Sequence, residues 1–173
     1  RSLPAIAEKP FRDTFKAIEQ RRGGRKAAFY AGCLIDFAYP GMGEDVVKVL
    51  NAGGVEVTFP EAQTCCGAPA RYSGAYEVAA QNAIDNLEAL LAEDVDWVVS
   101  ACPTCTTALK HEFARALRST GKTEWLAKAE ALAAKVVDFS LGGEAGSSVT
   151  VEKADGTRAT VRARWVVDAT GSQ

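Results

Sequence analysis

The residues of this chain best suited to chemistry are its five cysteines, which fall into three short groups. They are Cys33, the pair Cys65 and Cys66, and Cys102 with Cys105. Each group stands beside a glycine, a proline or another cysteine, and each follows an apolar run. Thiolates bind zinc and iron–sulfur clusters, whereas buried free cysteines behave as small apolar side chains. The grouping predicts a single metal or cluster site.

Three predicted strands bring the cysteine groups together. Apolar runs at 26–31, 55–59 and 95–99 each end just before one group, and helical patterns separate them. Such alternation predicts an α/β fold, a Rossmann-like parallel sheet flanked by helices. Parallel strands present their carboxyl ends at one edge of the sheet, where open α/β folds bind ligands. We therefore expect all five cysteines at that edge.

Periodicity and turn residues predict the remaining elements. We expect helices over 11–22, from Glu44 to the glycines at 53–54, from an N-cap at Ser73 to Ala92, from Pro103 to Arg118, and over 123–135. Residues 34–40 are predicted to form a loop, and 136–139 a fourth strand.

The composition changes near residue 141, which predicts four regions. These are a linker arm with a short helix (1–24), a cysteine-rich domain (25–140), a linker (141–148) and a β-rich tail (149–173). Alternating residues around Asp155 and Gly156 predict a small C-terminal β-hairpin, followed by a last strand at 165–171. We interpret this appendage as a fragment or fused piece.

Composition and charge exclude several functions. The chain is 47% hydrophobic and 24% charged, with a net charge of −2, which gives no general attraction to nucleic acid or anionic lipid. No apolar run approaches the roughly 20 residues of a membrane-spanning helix. An odd number of cysteines argues against a secreted disulfide framework and predicts a reducing, cytoplasmic location.

Spacing alone leaves several occupants of the site open. Zinc takes four tetrahedral ligands and would leave one cysteine spare. An iron–sulfur cluster is held by thiolates, and the adjacent pair Cys65 and Cys66 can serve two irons. Cys102 and Cys105 also have the spacing of a redox dithiol. Packed free thiols are the fourth alternative, and the pattern favours the iron–sulfur interpretation.

The motifs and their spacing resemble those of a known family, the cysteine-rich CCG domain. Between Cys33 and Cys65 lie 31 residues, and between Gly67 and Cys102 lie 34. The resemblance covers roughly 25–139. The stretches 29–36, FYAGCLID, and 63–70, QTCCGAPA, are closest to the lactate-utilisation and glycolate-oxidase branch of the family. The family also includes the cysteine-rich component of heterodisulfide reductase.

This resemblance implies a cofactor and a function. It implies that Cys33, Cys65, Cys66, Cys102 and Cys105 are ligands of a [4Fe-4S] cluster, non-cubane in heterodisulfide reductase, with zinc as the alternative. It also implies an iron–sulfur electron-transfer module of a complex that oxidises a 2-hydroxy acid, lactate or glycolate. Electrons would come from a flavin-dependent 2-hydroxy-acid dehydrogenase subunit and pass towards quinone or another acceptor. The alternatives are a catalytic subunit like that of heterodisulfide reductase and a zinc-stabilised, non-enzymatic interaction domain.

The resemblance also implies partners that this sequence lacks. Family members usually carry a second CCG motif and often a ferredoxin-like module, and we expect both in the full-length protein. Through its partners the chain would lie at the inner face of the membrane. Residues 164–171 resemble the ATG signature of FAD-dependent oxidoreductases, but without a Gly-x-Gly-x-x-Gly motif we expect no flavin site in the tail.

Other residues near the cysteines are predicted to have supporting or purely structural roles. Asp36 is expected to cap its own loop, and His111 to lie on a helix surface. Arg71 and Lys110 are candidates for offsetting the charge of an anionic cluster. Plain packing is expected for three tyrosines beside the cysteine loops and for two tryptophans on apolar stripes, namely Tyr30, Tyr39, Tyr72, Trp97 and Trp125.

Overall fold

A three-stranded parallel sheet forms the centre of the molecule. The computed structural model describes residues 4–20, 24–142, 148–152 and 158–162. The strands are β1 (Arg25–Phe29), β2 (Val55–Thr58) and β3 (Trp97–Val99), in the order β2-β1-β3. Ala27 of β1 lies opposite Val57 on one side and Trp97 on the other. The predicted α/β architecture is confirmed.

Helices cover both faces of this sheet. They are α1 (Phe11–Phe15), α2 (Gly32–Phe37), α3 (Pro40–Ala52), α4 (Ala68–Tyr72), α5 (Tyr76–Leu91), α6 (Pro103–Thr107), α7 (Phe113–Ser119) and α8 (Leu126–Lys135). A π-helical turn (Ala108–Glu112) joins α6 to α7, and a 3-10 turn (Thr123–Trp125) precedes α8. Within the described ranges, no helix combines the length and the apolar character needed to cross a membrane.

The two faces of the sheet carry different cores, because successive residues of a strand point to opposite sides. We call the first the aromatic face; its buried residues are Phe11, Ala27, Phe29, Ala31, Ile35, Val47, Leu50, Val55, Val57, Phe59, Val99 and Val137. We call the second the thiol face; its buried residues include Ala28, Tyr30, Cys66, Cys105, Leu109 and aliphatic side chains of α5, α7 and α8.

Three local predictions were wrong. The first helix ends at Phe15, and turns with hydrogen bonds between residues three apart carry the chain to Ile18. Residues 34–37 continue α2 rather than forming a loop, and α3 begins at Pro40, whose fixed φ suits the first turn of a helix. Ser73 does not begin α5; it closes α4, where its hydroxyl donates to the carbonyl of Ala70.

A second sheet follows the helical region. Its strands are β4 (Asp138–Gly142), β5 (Ser148–Glu152) and β6 (Arg158–Arg162), all antiparallel. The pairing of β5 with β6 confirms the predicted hairpin. The predicted fourth strand is divided: Val136 makes one parallel bridge to Val98, and β4 then pairs with β5. The predicted strand at 165–171 and most of the predicted linker lie outside the described residues, and the four predicted regions stay predictions.

Candidate metal centre

The three cysteine groups lie at the carboxyl ends of the three parallel strands. Cys33 is in the first turn of α2, Cys65 and Cys66 are in the loop after β2, and Cys102 follows β3 with Cys105 in α6. Cys66 lies close enough to Cys65 and Cys105, and Cys105 to Cys102, for hydrogen bonding between these thiols to shift their pKa values, and the charge of Cys33 helps to raise the pKa of Cys65. The structure therefore brings these groups together as the strand order predicts.

Tyr30 lies close to four of the five thiols. It extends β1 by one residue, through an N–H bond to the carbonyl of Val99, and it is fully buried. Its hydroxyl donates to the carbonyl of Thr64 at 2.6 Å. Burial raises the pKa of Tyr30 well above its usual value, and the nearby charges of Cys105, Cys66, Cys65 and Cys33 raise it further. Tyr30 thus remains a neutral hydrogen-bond donor.

The five thiols, all free of disulfide bonds, differ in their access to water. Cys66 and Cys105 are buried, Cys65 and Cys102 are half-buried, and Cys33 is exposed. The site therefore has an inner side within the thiol face and an outer side at the start of α2.

Hydrogen bonding also separates the thiols by acidity. Hydrogen bonds from Cys105 and Cys65 lower the pKa of Cys66 to about 3, with help from the N–H groups of Ala68 and of Cys66 itself. A hydrogen bond from Cys105 lowers the pKa of Cys102 to about 6. The pKa values of Cys65 and Cys105 rise, because their thiols donate to these neighbours and because both are partly or fully buried. Hydrogen bonding therefore favours the thiolate forms of Cys66 and Cys102.

Two glycines form a close-fitting wall of the site. Gly32 has a φ of +62°, and a Cβ added to it would lie 2.7 Å from Cys105 Sγ. Gly67 has a φ of +76°, and its Cβ would meet the backbone of Ala79 at 3.2 Å. Positive φ and close approach both require glycine here. A set of five thiols with glycines at two of its loops suits a sulfur-ligated cofactor.

The thiols do not converge on the position of a single metal ion. Across the residues that the structure describes, no three histidine, cysteine, aspartate or glutamate side chains are grouped as ligands of one metal ion. The fit to an iron–sulfur cluster therefore rests on the donor type, the number of thiols and the two glycines.

The helix that carries Cys105 departs from α-helical geometry directly after the site. The π-helical turn at 108–112 ends at Glu112, whose carboxylate pairs with Arg71 at 3.1 Å and with Arg115 at 2.8 Å. Arg71 and Glu112 line a small cavity beside Cys66. Since π-helical turns are frequent at functional sites, this turn supports a functional interpretation of the edge. Arg71 shares its charge with Glu112 rather than facing the thiols alone.

The positions of the other residues that the sequence singles out agree only partly with the predictions. The predicted loop cap, Asp36, is buried and instead accepts hydrogen bonds from the N–H and the Nε of Arg12, at 3.0 and 2.7 Å. It therefore fixes α1 to α2. His111 is exposed on its helix, as predicted. Tyr30 is packed as predicted, whereas Tyr39 and Tyr72 are exposed. Trp97 and Trp125 pack against the two cores, and Lys110 is half-buried on the π-helical turn.

Two buried amides near the thiols were missed at the sequence level. Gln63 and Asn86 are both buried and make several hydrogen bonds around Cys65. Asn86 interrupts the apolar stripe of α5, seven residues after Ala79, and a polar residue on a core-facing stripe is a signal for a buried hydrogen-bond network. Gln63 carries no comparable signal beyond its closeness to Cys65.

Together these features define a cysteine-rich α/β domain with its thiols at the carboxyl edge of a parallel sheet. Residues 27–110 match the family model described as Cysteine-rich domain, CCG. This match confirms the resemblance to the CCG family that the motifs of the segment indicate. No solved structure gives a significant match.

Three curated relatives illustrate the match. An "Uncharacterized iron-sulfur protein" of Methanocaldococcus jannaschii is 43% identical over 88 residues, which are 51% of this chain and 18% of that protein. A "Lactate utilization protein A" of Geobacillus sp. is 40% identical over 115 residues, 66% of this chain and 46% of the relative. "Lactate utilization protein A 2" of Bacillus cereus is 34% identical over 135 residues, 75% of this chain and 54% of the relative. The chain thus spans about half of the length of the lactate-utilisation relatives.

Proposed function

We propose that Cys33, Cys65, Cys66, Cys102 and Cys105 hold an iron–sulfur cluster of the [4Fe-4S] type. The observation that carries this proposal is that all five thiols, from three separate loops, lie at the carboxyl ends of the parallel strands, four of them close to Tyr30. The name of the Methanocaldococcus jannaschii relative supports iron and sulfur as the occupant. When bound, such a cluster supplies one-electron redox chemistry.

We further propose that the chain is an electron-transfer module of a system that oxidises lactate or glycolate. The names of two relatives support lactate utilisation. A flavin-dependent 2-hydroxy-acid dehydrogenase subunit would donate electrons, and a quinone or another acceptor would receive them. Buried Cys66 and Cys105 would keep water from the inner side of the site, while exposed Cys33 provides the side that a partner can approach.

The full-length protein would add to this module. Because the chain spans about half of its lactate-utilisation relatives, we propose that a ferredoxin-like module and a second cysteine-rich domain accompany it. The assembly would work in the cytoplasm, at the inner face of the membrane through its partners.

The decisive experiment is anaerobic reconstitution with iron and sulfide, followed by metal and acid-labile sulfide analysis. We expect iron and sulfide in the wild-type chain and their loss in Cys66→Ser, with Thr107→Ser, exposed on the same helix as Cys105, as the matched control. Zinc without iron or sulfide would refute the cluster. Unchanged iron and sulfide in Cys66→Ser would refute the five-ligand arrangement.

A second candidate function is disulfide reduction, as in a catalytic subunit like that of heterodisulfide reductase. The exposure of Cys33 favours it, because a substrate sulfur could approach that side of the site. Anaerobic assays with a small disulfide and a reduced electron donor separate the two functions. Turnover that requires the reconstituted site would support disulfide reduction, whereas reduction of the site by a lactate-oxidising flavoprotein without disulfide turnover would support electron transfer.

A further inference from the structure

A buried glutamine connects the first two cysteine loops. Gln63 is 5% exposed and lies two residues before Cys65. Its Oε1 accepts the N–H of Ala31 at 2.9 Å, and its Nε2 donates to the carbonyls of Phe29 and Pro60, both at 3.0 Å. One side chain therefore holds the end of β1, just before Cys33, against the segment that leads to Cys65.

A buried asparagine holds the same segment from the opposite side. Asn86 of α5 is fully buried. Its Oδ1 accepts the N–H of Thr64 at 2.9 Å, and its Nδ2 donates to the carbonyls of Cys65 at 3.0 Å and Asn82 at 2.8 Å. The backbone of Cys65 is thus tied to a helix of the thiol face.

Tyr30 completes the arrangement. Its hydroxyl donates to the carbonyl of Thr64. Residues 63–65 are consequently bonded to β1 through two side chains and to α5 through a third. Loops of this kind would otherwise change their separation freely, whereas breaking one buried hydrogen bond leaves a partner unsatisfied at a cost of about 1–3 kcal/mol.

We propose that Gln63 and Asn86 are positioning residues that act before any metal binds: Gln63 sets the separation between the Cys33 loop and the Cys65–Cys66 loop, and Asn86 fixes the second loop to α5. The inference rests on the proposed function in one respect only, namely that the five thiols are ligands. Outer residues that orient metal ligands typically contribute about 10–100-fold to metal retention. Preorganisation explains the contribution, because a loaded site then need not order the two loops itself.

The test compares Gln63→Met and Asn86→Leu with the wild-type chain. Both variants keep a similar side-chain volume, add no charge and remove the amide hydrogen bonds. We expect the variants to release their metal to a chelator about 10–100-fold faster than the wild type. Two matched controls should release metal at the wild-type rate: Gln81→Met removes an exposed amide of α5, and Ile84→Val trims the core without touching the network.

Hydrogen exchange of the metal-free chain gives a readout that does not depend on the cofactor. Gln63→Met should speed exchange of the Ala31 N–H, and Asn86→Leu that of the Thr64 N–H, beyond any change in Ile84→Val. If Gln63→Met does not fold, Tyr30→Phe replaces it, since it removes only the bond to Thr64 and should speed metal release several-fold.

The outcomes separate this inference from the proposed function. If the wild-type chain retains zinc but no iron or sulfide, the proposed iron–sulfur cluster is wrong. The variants and the wild type can then still be compared by their rates of zinc release. Variants that release the retained metal at the wild-type rate overturn the positioning of the loops. Faster amide exchange combined with an unchanged rate of metal release would also overturn the positioning of the loops, because the hydrogen bonds would then stabilise only the fold.

Discussion

The two faces of the parallel sheet share every strand and differ in how their side chains are held. On the aromatic face, Phe11 packs edge-on against Phe29 and Phe59, with ring centroids 5.3 Å apart in both pairs. On the thiol face, Tyr30 and Gln63 are held near the cysteines by directional hydrogen bonds. Apolar burial is non-directional and roughly proportional to area, whereas hydrogen bonds fix positions. The apolar cores of both faces therefore contribute to stability, whereas placement of the thiols depends on the hydrogen bonds of the second face.

Replacing Phe11 by alanine should have the largest effect on stability. Phe11 is fully buried among three phenylalanine rings, so its removal should lower the free energy of unfolding by about 3–5 kcal/mol. Urea unfolding measures the loss. The control Met42→Ala, at an exposed position of α3, should change it by about 0.5 kcal/mol or less. Similar losses in both variants would contradict the importance given to the aromatic face.

A pair of glycines in α3 tests the fit of the same ring. A Cβ on Gly43 would lie 2.5 Å from the ring of Phe11, whereas a Cβ on Gly41 would have nothing within 4 Å. Gly43→Ala should therefore lower the free energy of unfolding by about 1–3 kcal/mol. Gly41→Ala should raise it by up to about 1 kcal/mol, because alanine favours helix. The idea fails if the two variants unfold at the same urea concentration.

Alanine substitutions at Gly32 and Gly54 distinguish the effect of backbone strain from the effect of disturbing the cysteine site. Both have positive φ, so alanine at either should cost about 1–2 kcal/mol of stability. Only at Gly32 does the added Cβ press on Cys105 Sγ, since nothing lies within 4 Å of Gly54. We expect Gly32→Ala to lose more stability than Gly54→Ala, because of this additional clash, and only Gly32→Ala to lose metal after reconstitution. Equal metal content in both would show that Cys105 moves without consequence.

The difference in acidity between two of the thiols should be measurable in the wild-type chain, without any substitution. Cys65 and Cys102 are both half-buried, but the pKa of Cys65 is raised and that of Cys102 is lowered to about 6. The thiolate of Cys102 is therefore present above about pH 6 and lost below it. In the reduced, metal-free chain, alkylation of Cys102 by iodoacetamide should rise with a midpoint near pH 6, as followed by peptide mass spectrometry. Cys65 should react slowly up to pH 8, and equal rates at pH 7 would contradict the hydrogen-bond pattern.

Much of the fold could be predicted because its signals are local. Apolar runs ended just before cysteine groups, and helical periodicity between them predicted the parallel sheet and the edge on which Cys33, Cys65 and Cys102 meet. The helix boundaries were less accurate. Ser73 resembles an N-cap in sequence, yet it closes α4, because Gly74 and Ala75 intervene before α5 begins at Tyr76.

The missed features depend on tertiary contacts. Asp36 gives no sequence signal for its bonds to Arg12, which lies 24 residues earlier. Gln63 bonds to Phe29 and Ala31, more than thirty residues away, and no periodicity encodes such a partner. The sequence predicts Phe11 as an apolar residue of a short helix, but it does not predict the contacts of its ring with Phe29 and Phe59. Contacts between distant residues form only when the sheet brings their elements together.

The π-helical turn at 108–112 adds one residue to a helix that serves two purposes. An α-helix rotates by about 100° per residue, so the extra residue changes the angle, about the helix axis, between side chains before the turn and side chains after it. Cys105 before the turn faces the thiols, while Phe113 and Leu117 after it face the core. Deleting one residue from the turn would leave a regular helix in which these two requirements are out of phase by about 100°. The turn therefore rotates the second part of the helix, so that Cys105 can face the thiols while Phe113 and Leu117 face the core.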